Sequence, residues 1–445
     1  MKKLLLLPIM VLGYSAQAQV YWEEESTGFA TASTGVNEIR YVNEADVWVT
    51  GYDGSGGAAQ FRVWAKSGDA GNTWTNGAIN VGSTNLGIGS LSPISSSTAW
   101  TAAFPNTPTV QGGIWKTADG GATWTKQASA SFNTGTDSFT NFVHMWDANV
   151  GVCGGDPAGG YFELYTTSNG GVTWTRVPSS NIPVPLTGEY GYTRIYETAG
   201  SRIWFGTNKG RIFRSDNNGL NWEAFQTPCQ DFGDADLGAA FSFDDMDKGI
   251  MVFRDWSQYR SVDGGQNWTM DLPEGTIRSG DVTYVGGETG VLVNIGEDLI
   301  DGNRGASISG DDGLTWIDLG EAIDAVSAVE FFDFSHGLAS GFTASAVEGG
   351  IYRWINDLRE LLGTQNFQET KAFTASPNPT SGDLNINGKN ISSVAIFDIL
   401  GKQVANYNFG SVNAATVNMG SLNAGVYMVK VSNNEGTSTL KVVKQ

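Results

Sequence analysis

The sequence predicts an all-β protein, in which a large closed ring of repeated sheet units precedes a small antiparallel β-sandwich. Two observations support this prediction: an eight-residue pattern recurs six times at nearly constant spacing, and the repeats stop well before the end of the 445-residue chain. The composition, with 59 Gly, 15 Trp, 14 Tyr and 22 Phe, is that of an ordered chain with many tight turns. At this length we expect one large repeat domain and one small domain.

The first 18 residues have the features of a secretory signal peptide. Lys2 and Lys3 precede an apolar stretch over residues 4–12 and the small-residue run Ala-Gln-Ala at 16–18, so cleavage after Ala18 would leave Gln19 first. The apolar stretch is too short to cross a bilayer. Because the sequence holds no other long apolar run, we predict no transmembrane segment.

Charge and composition argue against several classes of function. The formal net charge is −20, or −22 without Lys2 and Lys3, and such a chain repels phosphate backbones, so we expect no nucleic-acid partner. The two histidines and two cysteines of the sequence lie far apart, so we expect no metal site and no cofactor. Export to an oxidising compartment permits a disulfide between Cys153 and Cys229, a pairing that the sequence leaves open.

The repeated pattern reads Ser/Thr-x-Asp/Asn-x-Gly-x-Thr/Asn-Trp. Its Asp/Asn and Trp positions are Asp69 and Trp74, Asp119 and Trp124, Asn169 and Trp174, Asn217 and Trp222, Asp263 and Trp268, and Asp311 and Trp316. Successive Asp/Asn positions are separated by 50, 50, 48, 46 and 48 residues, which is the signature of a repeat architecture. The side-chain oxygen can accept backbone N–H groups of a turn, the glycine supplies positive φ, and the tryptophan begins the next strand.

We predict that these pattern residues are structural. Two copies carry asparagine, whose amide keeps the acceptor but lacks the charge that catalysis or tight calcium binding needs.

Apolar strand pairs precede each copy, as at residues 47–51, 150–154 and 203–206. A further pair at 329–334 and 337–341, followed by 351–354, has no copy of the pattern after it. We therefore predict a seventh unit with a degenerate third strand. Residues 20–22 could supply its missing outer strand, which would close the ring and remove its free edges.

The repeated pattern resembles the Asp box, the bacterial neuraminidase repeat, which in that family closes the hairpin between the third and fourth strands of a propeller blade. The resemblance implies a seven-bladed Asp-box β-propeller over residues 19–357. In size and single-ring form it is similar to photosystem II assembly-factor-like and sortilin-like propellers. The resemblance also implies that ligands bind at the end of the ring opposite the boxes.

A polar linker over residues 358–371 separates the repeats from a C-terminal domain, residues 372–445. Turn residues at 377–382 and short strands at 394–398, 425–431 and 438–443 indicate a small antiparallel β-sandwich. The motifs at 377–379, 399–402 and 422–427 and the Lys-Val-Val-Lys ending resemble the type IX secretion (Por system) sorting domain. This implies export by that machinery, removal of the domain, and a product that is secreted or held at the outer cell surface. An ordinary carbohydrate-binding sandwich is the alternative.

Loops opposite the boxes carry polar residues beside aromatic ones, which suits ligand binding. The candidates for the ligand-binding face are Tyr52, Asp53, Phe104, Arg254, Asp255, Trp256 and Glu297. Asp156, before a proline, and Glu189, after a glycine, are the candidates for catalytic carboxylates, because a pair at the right separation suits glycoside hydrolysis. The alternative is that Asp156 caps a turn and Glu189 is solvated.

Two functions remain open. We favour a monomeric, non-enzymatic propeller that binds an extracellular protein or glycan through its loop-rich face, because no familiar catalytic constellation is recognisable. The alternative is a glycoside hydrolase of the Asp-box type. A sialidase is disfavoured because neither Arg40 nor Arg194 begins the Arg-Ile-Pro motif of that family. Xyloglucanases of this type resemble two propellers, and the chain has residues for one.

Overall fold

The computed structural model describes residues 20–57, 60–133, 138–296, 303–320, 323, 327–365, 373–398, 402–433 and 437–445. The described residues form two compact units that divide after Leu358, and almost every regular element is a β-strand. The predicted signal peptide, Glu297 and residues 399–401 of the sorting motif lie outside these ranges. Within them, no helix is long and apolar enough to cross a membrane.

The first unit contains strands β1–β29 and one 3₁₀ turn at Ser179–Asn181. The strands are β1 Trp22–Ser26, β2 Thr34–Tyr41, β3 Val47–Asp53, β4 Val63–Ser67, β5 Thr75–Ala78, β6 Leu86–Pro93, β7 Ala99–Pro105, β8 Gly113–Thr117, β9 Thr125–Lys126, β10 Thr140–Met145, β11 Gly151–Pro157, β12 Phe162–Thr167, β13 Thr175–Arg176, β14 Gly191–Ala199, β15 Arg202–Thr207, β16 Arg211–Ser215, β17 Glu223–Gln226, β18 Ala239–Phe243, β19 Gly249–Phe253, β20 Gln258–Ser261, β21 Thr269–Asp271, β22 Glu274–Gly275, β23 Asp281–Tyr284, β24 Leu292–Gly296, β25 Gly305–Ser309, β26 Thr315–Asp318, β27 Val329–Phe331, β28 Gly337–Ser345 and β29 Glu348–Trp354.

These strands form antiparallel groups of four. Strands β2–β5, β6–β9, β10–β13, β14–β17, β18–β21 and β23–β26 each pair in chain order, and β22 adds to β26 in parallel. The last group is β27, β28, β29 and β1, so the N-terminal strand is its outer strand, with Trp22 opposite Trp354. One pairing, Gly35 with Phe342, joins the last group to the first. The all-β propeller fold is confirmed, and the count of seven blades stays a prediction.

Each Asp box closes the hairpin between the third and fourth strands of its group. In the first box, Ser67 Oγ accepts a bond of 2.8 Å from the Gly71 N–H, and Asp69 Oδ1 accepts one of 2.8 Å from the Thr73 N–H. The equivalent backbone bonds recur in the other five boxes. In the third box, Asn169 Nδ2 donates to the Thr173 hydroxyl at 2.8 Å. The amide therefore keeps the side-chain contact to the threonine that the carboxylate of Asp69 makes in the first box.

The box tryptophans pack between a group and the one before it. Trp174 is 4% exposed and lies in one cluster with Trp100 and Ile114 of the preceding group and Tyr165 of its own. Trp124, Trp222 and Trp316 occupy the same kind of position at other junctions, whereas Trp74 and Trp268 are only partly buried. Burial of these large side chains stabilises the junctions between blades.

The predicted polar linker begins with a helix. Helix α1, Leu358–Gln365, has Leu358 buried, and its N–H donates to the Phe334 carbonyl at 3.0 Å. Its sequence, Leu-Arg-Glu-Leu-Leu and onward, consists largely of strong helix formers, so local propensity outweighed the polar character from which a linker was predicted.

The second unit is a five-stranded antiparallel sheet with a sandwich-like form. Its strands are β30 Phe373–Ser376, β31 Asp383–Asp398, β32 Gln403–Asn418, β33 Gly425–Ser432 and β34 Thr437–Lys444. Strands β31 and β32 form a long hairpin whose pairing is irregular between Asn387 and Ser393, while β30 and β33 pair with the two halves of β31. Alternate apolar residues of the strands, such as Ile386, Val394 and Val429, meet in one core. Asn378 ties the Pro-Asn-Pro turn to β34 through Val443 N and Lys441 O, at 2.9 and 2.8 Å.

Candidate binding site in the central channel

The innermost strands of the propeller surround a central cavity of about 430 Å³. Side chains on these strands hold neighbouring groups together. Glu38 Oε2 accepts from Leu91 N at 2.8 Å, Ser242 Oγ from Tyr284 N at 3.1 Å, and Asp281 Oδ2 from Val329 N at 3.0 Å. Part of the polar lining is therefore structural, because it satisfies backbone groups that would otherwise be buried without a partner.

Charged groups of both signs line this cavity. They are Arg40, Arg194, Arg254, Glu38, Glu197, Asp281 and Glu330. The Arg40 Nε donates to Glu38 Oε1 at 3.1 Å, and its guanidinium lies 4.8 Å from the ring centroid of Tyr196. The cavity can therefore offer hydrogen bonds to acidic and to basic groups of a ligand.

Two carboxyl groups of the channel have raised pKa values. Burial, together with the nearby Glu330 and Asp281, raises the pKa of Glu197 to about 8. Burial also raises the pKa of Glu330 to about 7, although Arg40 opposes that shift. Both residues line a second channel cavity of about 490 Å³ as well, so they lie between the two cavities. Among the described residues, no cluster of His, Cys, Asp or Glu side chains is arranged to hold a metal ion.

Arg194 has a strained backbone. Its φ is 65°, and it lies where the pairing of β14 with β15 shifts between Gly191 and Tyr196. A non-glycine residue in this conformation costs about 1–3 kcal/mol and is typical of functional sites. The side chain lines the cavity, its Nη1 lies 3.5 Å from the Gly89 carbonyl, and burial lowers its pKa.

Glu189, predicted as a candidate catalytic carboxylate, is held by several protein donors. Its carboxylate is fully buried and accepts from the Arg211 Nε at 2.9 Å, the Thr207 hydroxyl at 2.8 Å and the Leu186 N–H at 2.8 Å, with Arg211 Nη2 as a further donor. Burial alone would raise its pKa, but these donors lower it below the usual range. The carboxylate is therefore neither solvated nor available to a substrate.

Asp156 joins β11 to the start of β14. Its Oδ1 accepts from Asn141 Nδ2 at 2.7 Å and from the Gly191 N–H at 3.0 Å, and burial raises its pKa to about 6 against the effect of these bonds. It does not line the central cavity. Asp156 and Glu189 are therefore held by different partners, and their role as a catalytic pair stays a prediction.

The residues predicted for the ligand-binding face do not line one common site. Arg254 lines the central cavity and donates to the Ser279 carbonyl at 3.2 Å, whereas Trp256 lines a separate cleft and is 48% exposed. Tyr52 packs edge-on against Phe342 with ring centroids 5.9 Å apart.

The other predicted face residues support local structure. Phe104 stacks on Phe139 at 5.0 Å. Asp53 accepts from the Ser55 N–H and Asp255 from the Ser257 N–H, each at 3.0 Å, so both acids cap turns.

The two cysteines are free and buried at different junctions. Cys153 lies in the cluster of Trp100 and Trp174, and Cys229 in that of Trp204 and Phe232. The disulfide that the sequence left open is not formed.

The sequence-based prediction missed Glu38, Glu197, Asp281 and Glu330 as channel residues. Each is an acid within an inner strand, as in Val-Glu-Phe at 329–331. A charged residue inside an apolar strand was the available signal, because such a residue must find a partner or a cavity.

The C-terminal unit can be compared with known families. Residues 375–445 match the family model described as the secretion system C-terminal sorting domain. The tail is a type IX sorting domain. The sorting domain implies export to the cell surface or beyond it. A comparison with curated proteins found no match for the chain.

Solved structures similar to the chain include two YCF48 structures. The structure described as YCF48 bound to D1 peptide is 13% identical with a TM-score of 0.51, and covers 77% of this chain and 97% of its own. YCF48 from Cyanidioschyzon merolae is 14% identical with a TM-score of 0.50, at 76% and 99% coverage. A mutant of Trypanosoma rangeli sialidase displaying trans-sialidase activity is 12% identical with a TM-score of 0.43, at 94% and 87% coverage. At these identities the likeness to YCF48 concerns the fold.

Proposed function

We propose that the protein is an exported propeller that binds an extracellular polypeptide segment in its central cavity. The observation that carries this proposal is the lining of the cavity, which combines arginines and carboxylates with the aromatic residues Tyr192, Phe232 and Phe241. A peptide offers backbone donors and acceptors, charges of both signs and apolar side chains, so a wall of this kind can complement it.

Two further facts support the proposal. The sorting domain takes the protein to the cell surface or beyond it, where it would meet such a partner. The YCF48 propeller, which is similar to this chain in fold, carries a D1 peptide in the structure of that name.

Arg194 is the residue that we expect to anchor an acidic group of the partner. Arg194 has a strained backbone and lies in the irregular part of the β14–β15 pairing, so strand pairing does not explain its conformation. Its side chain lines the cavity. Replacing it with glycine removes the charge and also relieves the strain, so the variant should fold.

The test is selection of a phage-displayed random peptide library on the purified full chain. We expect enriched peptides to bind the wild type, and to bind Arg194→Gly about tenfold less tightly or worse, which corresponds to the loss of a charge-assisted hydrogen bond. Lys248→Ala is the matched control, since that cation lies in the turn before β19, outside the cavity. Failure to enrich any peptide, or equal binding by Arg194→Gly, would refute the proposal.

A glycoside hydrolase is the second candidate function, for which Glu197 and Glu330 replace the predicted pair. Their raised pKa values leave a protonated acid available near neutral pH, as a general acid requires. The test is release of reducing sugar from a panel of polysaccharides by the wild type, Glu197→Gln and Glu330→Gln. Release that disappears in both variants would identify a glycosidase, and absence of release by the wild type would exclude one for that panel.

A further inference from the structure

Trp256 has a backbone conformation that bulky residues avoid. Its φ is 65°, and it is the last residue of a tight turn between β19 and β20. The Trp256 N–H donates to the Phe253 carbonyl at 3.0 Å, and the Phe253 N–H donates to the Ser257 carbonyl at 2.9 Å. Left-handed backbone crowds a Cβ against the peptide group, so glycine or asparagine is the usual choice at this place.

The preceding group of strands contains the same turn with glycine. Between β15 and β16, Gly210 has φ 63°, and its N–H donates to the Thr207 carbonyl at 3.1 Å. The strand registers make Gly210 and Trp256 equivalent positions. Closure of the turn therefore does not require tryptophan, and another role must account for the strained residue.

Core packing is not that role, because the Trp256 side chain is 48% exposed. The ring is nevertheless held in one orientation: its Nε1 donates to Asn303 Oδ1 at 3.3 Å. Asn303 is itself buried, donating to the Ser279 hydroxyl at 2.7 Å and accepting from the Ser279 N–H at 3.2 Å. The structure thus presents a fixed aromatic face to the solvent.

This face lies in a cleft of about 590 Å³ between β20 and the segment that leads to β23. The charged residues of the cleft are neutralised by partners: Asp271 by Arg260 at 2.7 Å, and Arg278 by Asp318 at 2.8 Å. A cleft without net charge but with several hydrogen-bonding side chains favours an uncharged ligand rich in polar groups.

We propose that this cleft binds a neutral oligosaccharide, with one sugar ring stacked on Trp256. The C–H face of a sugar ring is apolar and matches the indole, while its hydroxyls can bond to half-buried side chains such as Ser257 and Thr276 that line the cleft. The cleft shares no lining residue with the central cavity, so this site does not rest on the proposed polypeptide binding.

The test is isothermal titration calorimetry of the purified full chain with neutral hexaoses of the cellulose, xylan, mannan and starch series. We expect at least one to bind, and Trp256→Gly to weaken that binding about tenfold or more. Trp256→Phe should retain part of the affinity because it keeps an aromatic face. The melting temperature of Trp256→Gly should equal or exceed that of the wild type, since glycine relieves the strain. Leu220→Ala is the control, an exposed apolar side chain (54%) in the fourth Asp box.

Several results would overturn the proposal. Absence of binding to every hexaose, or unchanged binding by Trp256→Gly, would remove the sugar site. A lower melting temperature for Trp256→Gly would show that the indole serves stability. If polyproline peptide bound the cleft while no hexaose did, the ligand class would be wrong.

Discussion

Replacing Glu189 with alanine should destabilise the propeller strongly, because its carboxylate accepts bonds from Arg211, Thr207 and Leu186 and is fully buried. The variant would leave the Arg211 guanidinium, whose side chain is only 14% exposed, without its counter-ion. Removing one partner of a buried ion pair costs about 3–5 kcal/mol, so we expect a loss of this size in the free energy of unfolding.

Urea denaturation followed by tryptophan fluorescence measures this loss in the propeller alone, because the last tryptophan of the sequence is Trp354. Glu223→Ala is the matched control. Glu223 pairs with Arg214 in the same group of strands at 2.9 Å but is 64% exposed, so its loss should cost less than about 1 kcal/mol. A loss below about 1 kcal/mol for Glu189→Ala would refute the structural role.

The pH dependence of the same experiment has a definite sign. The folded-state pKa of Glu189 is lowered, so the stability it contributes is fully present above the unfolded pKa of about 4.3. That contribution disappears as the pH falls through the folded pKa. The difference between wild type and Glu189→Ala should therefore shrink in acid, and a difference that grew in acid would contradict the assignment.

Three further predictions follow from the packing and the channel. Trp174→Ala should lower the free energy of unfolding by about 3–5 kcal/mol, and a loss below about 1 kcal/mol in urea denaturation would contradict the packing at the blade junction. The pKa values of Glu197 and Glu330 are raised to about 8 and about 7 in the folded protein, so the free energy of unfolding should fall as the pH rises from about 4.3 through these values. Thermal melts at a series of pH values should show a smaller decline for Glu197→Gln than for the wild type. Under denaturing conditions without reductant, thiol titration should find both Cys153 and Cys229 reactive, and no reactive thiol would indicate the disulfide.

Local sequence was sufficient for the Asp boxes, because the side-chain bonds that close each turn lie within eight residues. Ser67, Asp69, Gly71 and Thr73 close their turn with one another, so the pattern alone identifies the turn. An outer strand supplied by the N-terminal segment was also predictable, because an unpaired strand edge favours pairing with a further strand, but it lies at Trp22–Ser26 and not at the predicted residues 20–22.

The site was less predictable than the fold. Glu189 and Asp156 were chosen for their neighbours in sequence, but Arg211, the partner of Glu189, follows 22 residues later at the start of β16. A carboxylate beside a glycine looks the same in sequence whether a buried arginine or solvent faces it.

The sequence by itself therefore determined the all-β class, the repeat, the box turns and the sorting domain, since each depends on short-range or periodic patterns. Only the tertiary structure decided which charges meet in the channel and which aromatic ring faces the solvent. Glu38, Glu197 and Glu330 come from strands far apart in the chain, and Trp256 depends on Asn303, 47 residues away. Closure of the ring brings such residues together. The sequence pattern of one repeat does not indicate which side chains of the other repeats will face its own residues.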